Sequence, residues 1–466
     1  MKSVIRDIHR HLTSGEYSCR ELVQKKLTLL HGNAYHSANL ILDESALALA
    51  DRVDEKIKSG QSIELLEGIP FGIKDSILLQ GCIASGGAAF LRKYKAPYTA
   101  TAIEKLVQVG AIPVVKENCD SFGHGATGEN TVFGTVCNAH DISRIAGGSS
   151  GGSAVNVAKG YSAFSVGADT GGAIPAGYNR IYGLKPTFGR VSRYGMMANV
   201  SSADCIGPMA SSLEDIRILI NVMSGKDAHD QMTFSSAPIT ESVFETKIQK
   251  AQITVGYYTS YIESKYLDVT TKNAFQMMLD TLSNQGIRVI PLDFFDTDTL
   301  VATYFVLAMA ETSSNLARFD GTVYGVRSKN KNVLDGYLET RAGNLSDETK
   351  RRIIGGIRLT SHGYDEDVYV KARRLRNQIV QVLNDDFEKV NFILSPVTPV
   401  LPPVIGQSQD NPLSMYLHEA YCAGFNLGGL PVLSAPLFTP TGILITANKN
   451  HEDLLLSFAN YLKEAG

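Results

Sequence analysis

A chain of 466 residues is long enough for two or three average domains or for one large α/β unit, and it can bury a sizeable core without disulfides. Hydrophobic residues make up 44% of it and charged residues 20%, the balance of a soluble globular protein. A formal net charge of −3 excludes a protein that grips nucleic acid over its whole surface, but not a subunit whose partner holds the nucleic acid. The six cysteines are widely spaced and form no CxxC pair, which predicts reduced thiols packed as small apolar groups in a cytosolic type of compartment. The opening stretch MKSVIRDIHRHLTSGEYSCREL lacks the apolar core of a secretory signal, and Asp7 and Glu16 come too early for an evident mitochondrial presequence. No run approaches the roughly 20 apolar residues that a membrane helix needs, so no membrane contact is expected.

In chain order, residues 1–60 are expected to be helical. Val4, Ile5, Ile8 and Leu12 fall at helical spacing, CRELVQKKLTLL is amphipathic, and DESALALADRVDEKIKSG has Asp43 near its start and Gly60 just past its end. LLEGIPFGIKDSILL then suits a buried strand ending in a lysine, Lys74. TATAIEKLVQVGAIPVVKEN predicts a helix, a stop at Gly110 and a buried strand, which is one unit of an α/β sheet. About a dozen glycines between Gly147 and Gly195 mark tight turns and close backbone approach. Helix returns from Ser212, a candidate N-cap, to Gly225. The polar stretch from Asp227 to Thr246 is a candidate boundary. Beyond it, ITVGYYT and VTTKNAFQMMLDTLSNQGIRVIPLDF predict strand, helix and strand, and NHEDLLLSFANYLKEAG closes the chain as a helix.

Three segments carry candidate chemistry. GGSSGGS, Gly147 to Ser153, opens a helix, but it has neither the lysine spacing of a P-loop nor the spacing of a dinucleotide fingerprint. Lys74 ends an apolar run; taken alone it suits a snorkelling surface lysine, and buried it can lose its proton and act as a base. The third is the glycine-rich ADTGG. Together they suggest serine–lysine nucleophilic catalysis, with a lysine accepting a proton, serines relaying it and attacking a carbonyl, and loop amides holding the oxyanion.

GIPFGIKD, GGSSGGSAVNVA, GADTGG and GLKPTFGRVSRYG, in this order and spacing, resemble the amidase signature family. AETSSNLARFDGTVYG, DETKRRIIGG and NPLSMYLHEAYCAGFNLGGLPVLSAP extend the resemblance to the glutamine-hydrolysing subunits of tRNA-dependent amidotransferases. The resemblance implies the amidase signature fold: an α/β architecture with a mixed, mostly parallel central sheet covered by helices on both faces. It is expected as a single domain over residues 1–466, with N-terminal helices over 1–60 and a substrate-side lobe over roughly 227–390. Lys74 matches the family's catalytic lysine and Ser149 its relay serine beside a cis peptide. Thr170, Gly171 and Gly172 match the oxyanion loop, and the nucleophile would stand directly after them, at Ala173.

By the same resemblance, glutamine is held by Tyr304, Arg352 and an acidic residue, Glu419, where the family usually has Asp. A guanidinium suits the substrate carboxylate as a bidentate fork, and a carboxylate suits its ammonium. The implied partners are B-type and C-type subunits. tRNA is then bound only through the partner subunit, and ATP and Mg are used there, with no cofactor or metal in this chain. The implied location is cytoplasmic, or the mitochondrial matrix in a eukaryote.

One departure stands out. The family pattern is DTGGS, a variable residue, Arg, a variable residue and PA, whereas this chain has DTGGAIPA, two residues shorter and without the serine or the arginine. Alanine offers no nucleophile. Three readings follow: the glutamine-hydrolysing amidotransferase subunit, a stand-alone amidase, and a catalytically impaired homologue that serves assembly. His124, inside GHGATGENTVFG, is expected as a packing or loop residue.

Overall fold

The computed structural model describes residues 2–169, 174–245, 249–330, 332–363, 366–407 and 412–465. Its apolar runs become eleven strands: β1 (Ala38–Ile41), β2 (Pro70–Lys74), β3 (Ile112–Glu117), β4 (Phe164–Asp169), β5 (Tyr182–Lys185), β6 (Cys205–Ala210), β7 (Thr254–Tyr258), β8 (Arg288–Leu292), β9 (Phe392–Pro396), β10 (Val432–Ala435) and β11 (Ile443–Ala447). They form one sheet in the order β1-β3-β2-β4-β6-β5-β10-β11-β9-β7-β8.

The sheet is mixed and flanked by helices, as expected. Its parallel pairs are β3–β2–β4 and β8–β7–β9. All other neighbours are antiparallel, so the parallel share is smaller than the sequence suggested. The reason is local at β10 and β11. Only a short turn joins them, and such a link permits antiparallel pairing alone, whereas each parallel pair requires a crossover. The N-terminal segment holds helices Val4–Ser14, Cys19–Gly32 and Asp43–Lys58, with β1 as an unanticipated strand between the second and third.

Two apolar cores lie on the two faces of the sheet. Along β9, Phe392 and Leu394 join one and Ile393 the other; along β11, Ile443, Ile445 and Ala447 join the first and Leu444 the second. This is the two-residue period of a strand covered on both sides, and it explains why these segments are predominantly apolar. Helices Leu213–Met223, Val269–Asn284 and Glu452–Ala465 supply the first core. Helices Thr297–Asn315, Glu366–Phe387 and Ala420–Leu427 supply the second. Ser212 caps its helix by accepting from the Asp215 N–H. Among the described residues, no helix is long and apolar enough to cross a membrane.

The loop after β5 is tied to the C-terminal helix by a buried ion pair. Arg190 Nη1 lies 2.8 Å from Glu452 Oε2, and Glu452 Oε1 accepts the Thr187 N–H at 2.8 Å. Removing one member leaves the other buried and uncompensated. Glu452→Ala is therefore expected to lower stability by about 3–5 kcal/mol, measured by urea denaturation.

Candidate functional site

Because β2, β3 and β4 run parallel and adjacent, their C-terminal ends open at one place, where α/β sheets form ligand sites. Lys74, Glu117 and Asp169 are the last residues of these three strands. Phe71 and Ile73 of β2 pack into the first core, so the alternation turns Gly72 and Lys74 to the opposite face.

Lys74 is 1% exposed. Its Nζ lies 2.6 Å from Ser149 Oγ and donates to the Ala168 carbonyl at 3.0 Å. Burial pushes its pKa down, against smaller opposing effects of Cys119, Asp169 and Asp120. The pair can thus exchange a proton directly: a neutral amine donates one N–H to Ala168 and turns its lone pair to the hydroxyl.

Ser149 follows a cis peptide bond, Gly148–Ser149, and precedes helix Gly151–Ala158 by two residues. Its carbonyl accepts the Asp120 N–H at 3.2 Å. The glycines of this segment answer to close approach. A Cβ on Gly152 would sit 2.5 Å from the Ser37 carbonyl oxygen and 2.6 Å from that of Asn118. Ser150 is tied differently. It is buried, and its Oγ donates to the Ala168 carbonyl at 2.8 Å and accepts the Ala168 N–H at 3.3 Å.

Two buried carboxyls flank the lysine. Asp120 accepts the N–H groups of Gly128 at 3.1 Å and Asn130 at 2.9 Å, yet burial outweighs these bonds and raises its pKa to about 7. Glu117 accepts from Ser165 Oγ at 2.6 Å and Asn156 Nδ2 at 3.1 Å, and burial raises it to about 7 as well. Gly72 makes room for it, since a Cβ there would lie 1.8 Å from Glu117 Oε1.

A second group comes from three helices: Tyr304 from Thr297–Asn315, Arg352 from Asp347–Thr360, and Glu419 at the N-cap of Ala420–Leu427. All three side chains are buried. Arg352 Nε donates to Glu348 Oε1 at 2.8 Å, and its guanidinium carbon lies 5.1 Å from the Phe305 ring centre and 5.6 Å from that of Tyr416. Burial works against its charge, but Glu348 and Glu419 outweigh that and raise its pKa. Glu419 is pushed up to about 8 by burial, with Arg352 opposing, and its Oε2 has no hydrogen-bond partner among the described residues. The two groups share an electrostatic environment, since Asp169 raises the pKa of Lys74, Tyr304 and Glu419 alike.

Thr170, Gly171, Gly172 and Ala173 lie outside the described residues. His124 is fully buried between helices, with Nδ1 3.1 Å from Thr349 Oγ1 and Nε2 3.4 Å from Thr312 Oγ1, and burial pulls its pKa well down. Among the described residues no cluster of three His, Cys, Asp or Glu side chains is arranged to hold a metal ion. Sequence reasoning missed Glu117, Asp120 and Glu348. The signal for the first two was available: KENCD places three charges at the end of a strand that is otherwise apolar. Nothing comparable distinguishes Glu348 from a solvated helix charge in DETKRR.

Residues 22–456 match the sequence profile of the amidase family. The A-type subunit of glutamyl-tRNA(Gln) amidotransferase from Trichodesmium erythraeum is 37% identical over 476 residues, covering 99% of this chain and 97% of that protein. The protein of the same name from Heliobacterium modesticaldum is 37% identical, covering 98% and 96%. Among solved structures, the corresponding glutamyl-tRNA(Gln) amidotransferase chain of Thermotoga maritima superposes with a TM-score of 0.76 at 28% identity, covering 94% of this chain and 89% of that one. A protein from a vestigial complex bearing on the origins of an s-triazine catabolic enzyme gives a TM-score of 0.85 at 26% identity, covering 100% and 99%.

Glu117 gives this region a pH signature. Its folded pKa, about 7, lies above the ordinary 4.5. The stability it contributes is therefore full below the unfolded value and lost as pH rises through the folded one. Between about pH 5 and about pH 8, Glu117→Gln should lose less stability than the parent, as read from urea midpoints across that range.

Proposed function

The chain belongs to the amidase signature family, and from that premise we propose that it is the glutamine-hydrolysing subunit of a tRNA-dependent amidotransferase, releasing ammonia for the conversion of Glu-tRNA(Gln) to Gln-tRNA(Gln). The supporting observation is a buried guanidinium and a buried carboxyl, Arg352 and Glu419, that act on each other electrostatically. Arg352 suits a substrate carboxylate, and the unpartnered Oε2 of Glu419 suits an ammonium, so together they fit a free amino acid better than a plain amide. Glu348 already engages Arg352, so a bound carboxylate shares the guanidinium with it. Tyr304 is buried and interacts electrostatically with both Glu419 and Arg352. Glu419 is longer by one methylene than the aspartate usual in the family, a departure that weighs against an unaltered glutamine specificity.

In this reading Lys74 is the base and Ser149 passes the proton. Burial of Lys74 supplies the neutral amine that the step requires. B-type and C-type subunits complete the enzyme, with tRNA, ATP and Mg at the partner. The working location is cytoplasmic, or the mitochondrial matrix in a eukaryote. A second reading, an impaired homologue that serves assembly, is favoured by one observation: Ala173 stands where the family's nucleophile would be.

Co-expression with the B- and C-type subunits of the same organism separates the two. Amidation of Glu-tRNA(Gln) with glutamine supports the first; amidation with ammonium chloride but not glutamine supports the second; failure to co-purify overturns both. In the active complex, Glu419→Gln should raise the KM for glutamine by at least about tenfold with a smaller change in kcat, as for loss of a contact made equally in ground and transition states. Because Glu419 is held at about 8, its ionised fraction grows with pH. The parent's KM should accordingly fall as pH rises toward about 8, and that slope should vanish in the variant.

A further inference from the structure

We infer that Ser149 is itself the nucleophile of this chain, working as a serine–lysine pair with Lys74. The inference rests on the glutaminase reading above and changes which atom attacks. A relay serine needs a further hydroxyl to serve, and position 173 is alanine. Ser149 Oγ is already in direct contact with the amine, 2.6 Å from Lys74 Nζ. An alkoxide formed there has a substrate carbonyl as its chemical outlet.

Neighbouring candidates are engaged or enclosed. Ser150 Oγ is bonded twice to the Ala168 backbone and is 2% exposed. Cys119 is fully buried. Ser149 is only partly buried, whereas the Lys74 it contacts is 1% exposed, so the serine is the more accessible member of the pair. It also lies at the N-terminal end of helix Gly151–Ala158, where the helix dipole favours developing negative charge. Desolvation supports the base role, because it holds Lys74 toward its neutral form.

The reaction balances without a co-reactant other than water. Lys74 Nζ takes the Ser149 hydroxyl proton as Oγ bonds to the side-chain amide carbon of glutamine. The tetrahedral intermediate collapses, the C–N bond breaks, and the Lys74 ammonium returns the proton to the leaving nitrogen, releasing ammonia. A water molecule, deprotonated by Lys74, then cleaves the γ-glutamyl ester, giving glutamate and restoring the Ser149 hydroxyl.

The test is to locate the covalent adduct. The full chain, co-expressed with its partner subunits, is treated with 6-diazo-5-oxo-L-norleucine, digested with trypsin and mapped by fragmentation mass spectrometry. Cleavage after Arg144 and Lys159 places Ser149, Ser150 and Ser153 on one peptide and Thr170 on the next. An adduct on Ser149, lost in Ser149→Ala and regained on sulfur in Ser149→Cys, is the expected result. Hydroxylamine added to the complex with glutamine alone, without ATP or tRNA, should also yield γ-glutamyl hydroxamate, the product expected when an acyl-enzyme is intercepted. Glutaminase activity of Ser149→Ala should drop at least about 1000-fold. An adduct on Ser150, Thr170 or Cys119, or glutamine-dependent tRNA amidation without any adduct, overturns the assignment and leaves the function standing. Absence of any glutamine hydrolysis while ammonium chloride still supports amidation overturns the assignment together with the glutaminase reading.

Discussion

The arrangement of this molecule turns on a primary amine that has been taken out of water. Lys74 ends a buried strand, and its Nζ has a backbone carbonyl, Ala168, and one hydroxyl, Ser149, within hydrogen-bond distance. An ammonium in such a place loses its hydration and gains little back, so the enclosure favours the neutral form. Much of the nearby architecture follows from enclosing that group. β2, β3 and β4 bring their ends together around it, glycines at 72 and 152 permit approaches that any side chain would block, and the Asp120 N–H fixes the Ser149 carbonyl.

The carboxyls nearby obey the same constraint with the opposite sign. Glu117, Asp120 and Glu419 are all raised by burial, so the site carries less negative charge than its composition suggests. Of these, Asp120 acts on Lys74 directly, and its ionised form would favour the ammonium over the neutral amine. Arg352 is the exception that keeps its charge, because Glu348 lies directly against it. The two groups thus combine one retained cation with carboxyls shifted toward neutrality, a balance set by solvent exclusion rather than by residue type.

The fold and the site differed in how far they could be anticipated. Strands such as β2, β3, β7 and β8 were visible as short runs rich in apolar and β-branched residues, and Ser212 was visible as a cap by residue type and place. β1 was not, since four residues beside two strong helices carry no period of their own. The parallel share of the sheet was overestimated because pairing direction depends on how connections run in space. Lys74 and Ser149 could be picked out by motif, but their 2.6 Å separation depends on strand order. Glu348 escaped notice because its role emerges only when helix Asp347–Thr360 packs against Tyr416, whose hydroxyl donates to it at 3.0 Å.

The strict alternation of strands between two cores has a corollary for how this chain can vary. Inside β9 or β11, losing a single residue would send each subsequent side chain into the wrong core. Ser149, by contrast, belongs to neither a strand nor a core, so a substitution there moves no side chain between the two. The scaffold is therefore indifferent to the position on which the chemistry depends, and a lineage can alter its attacking group while folding as before.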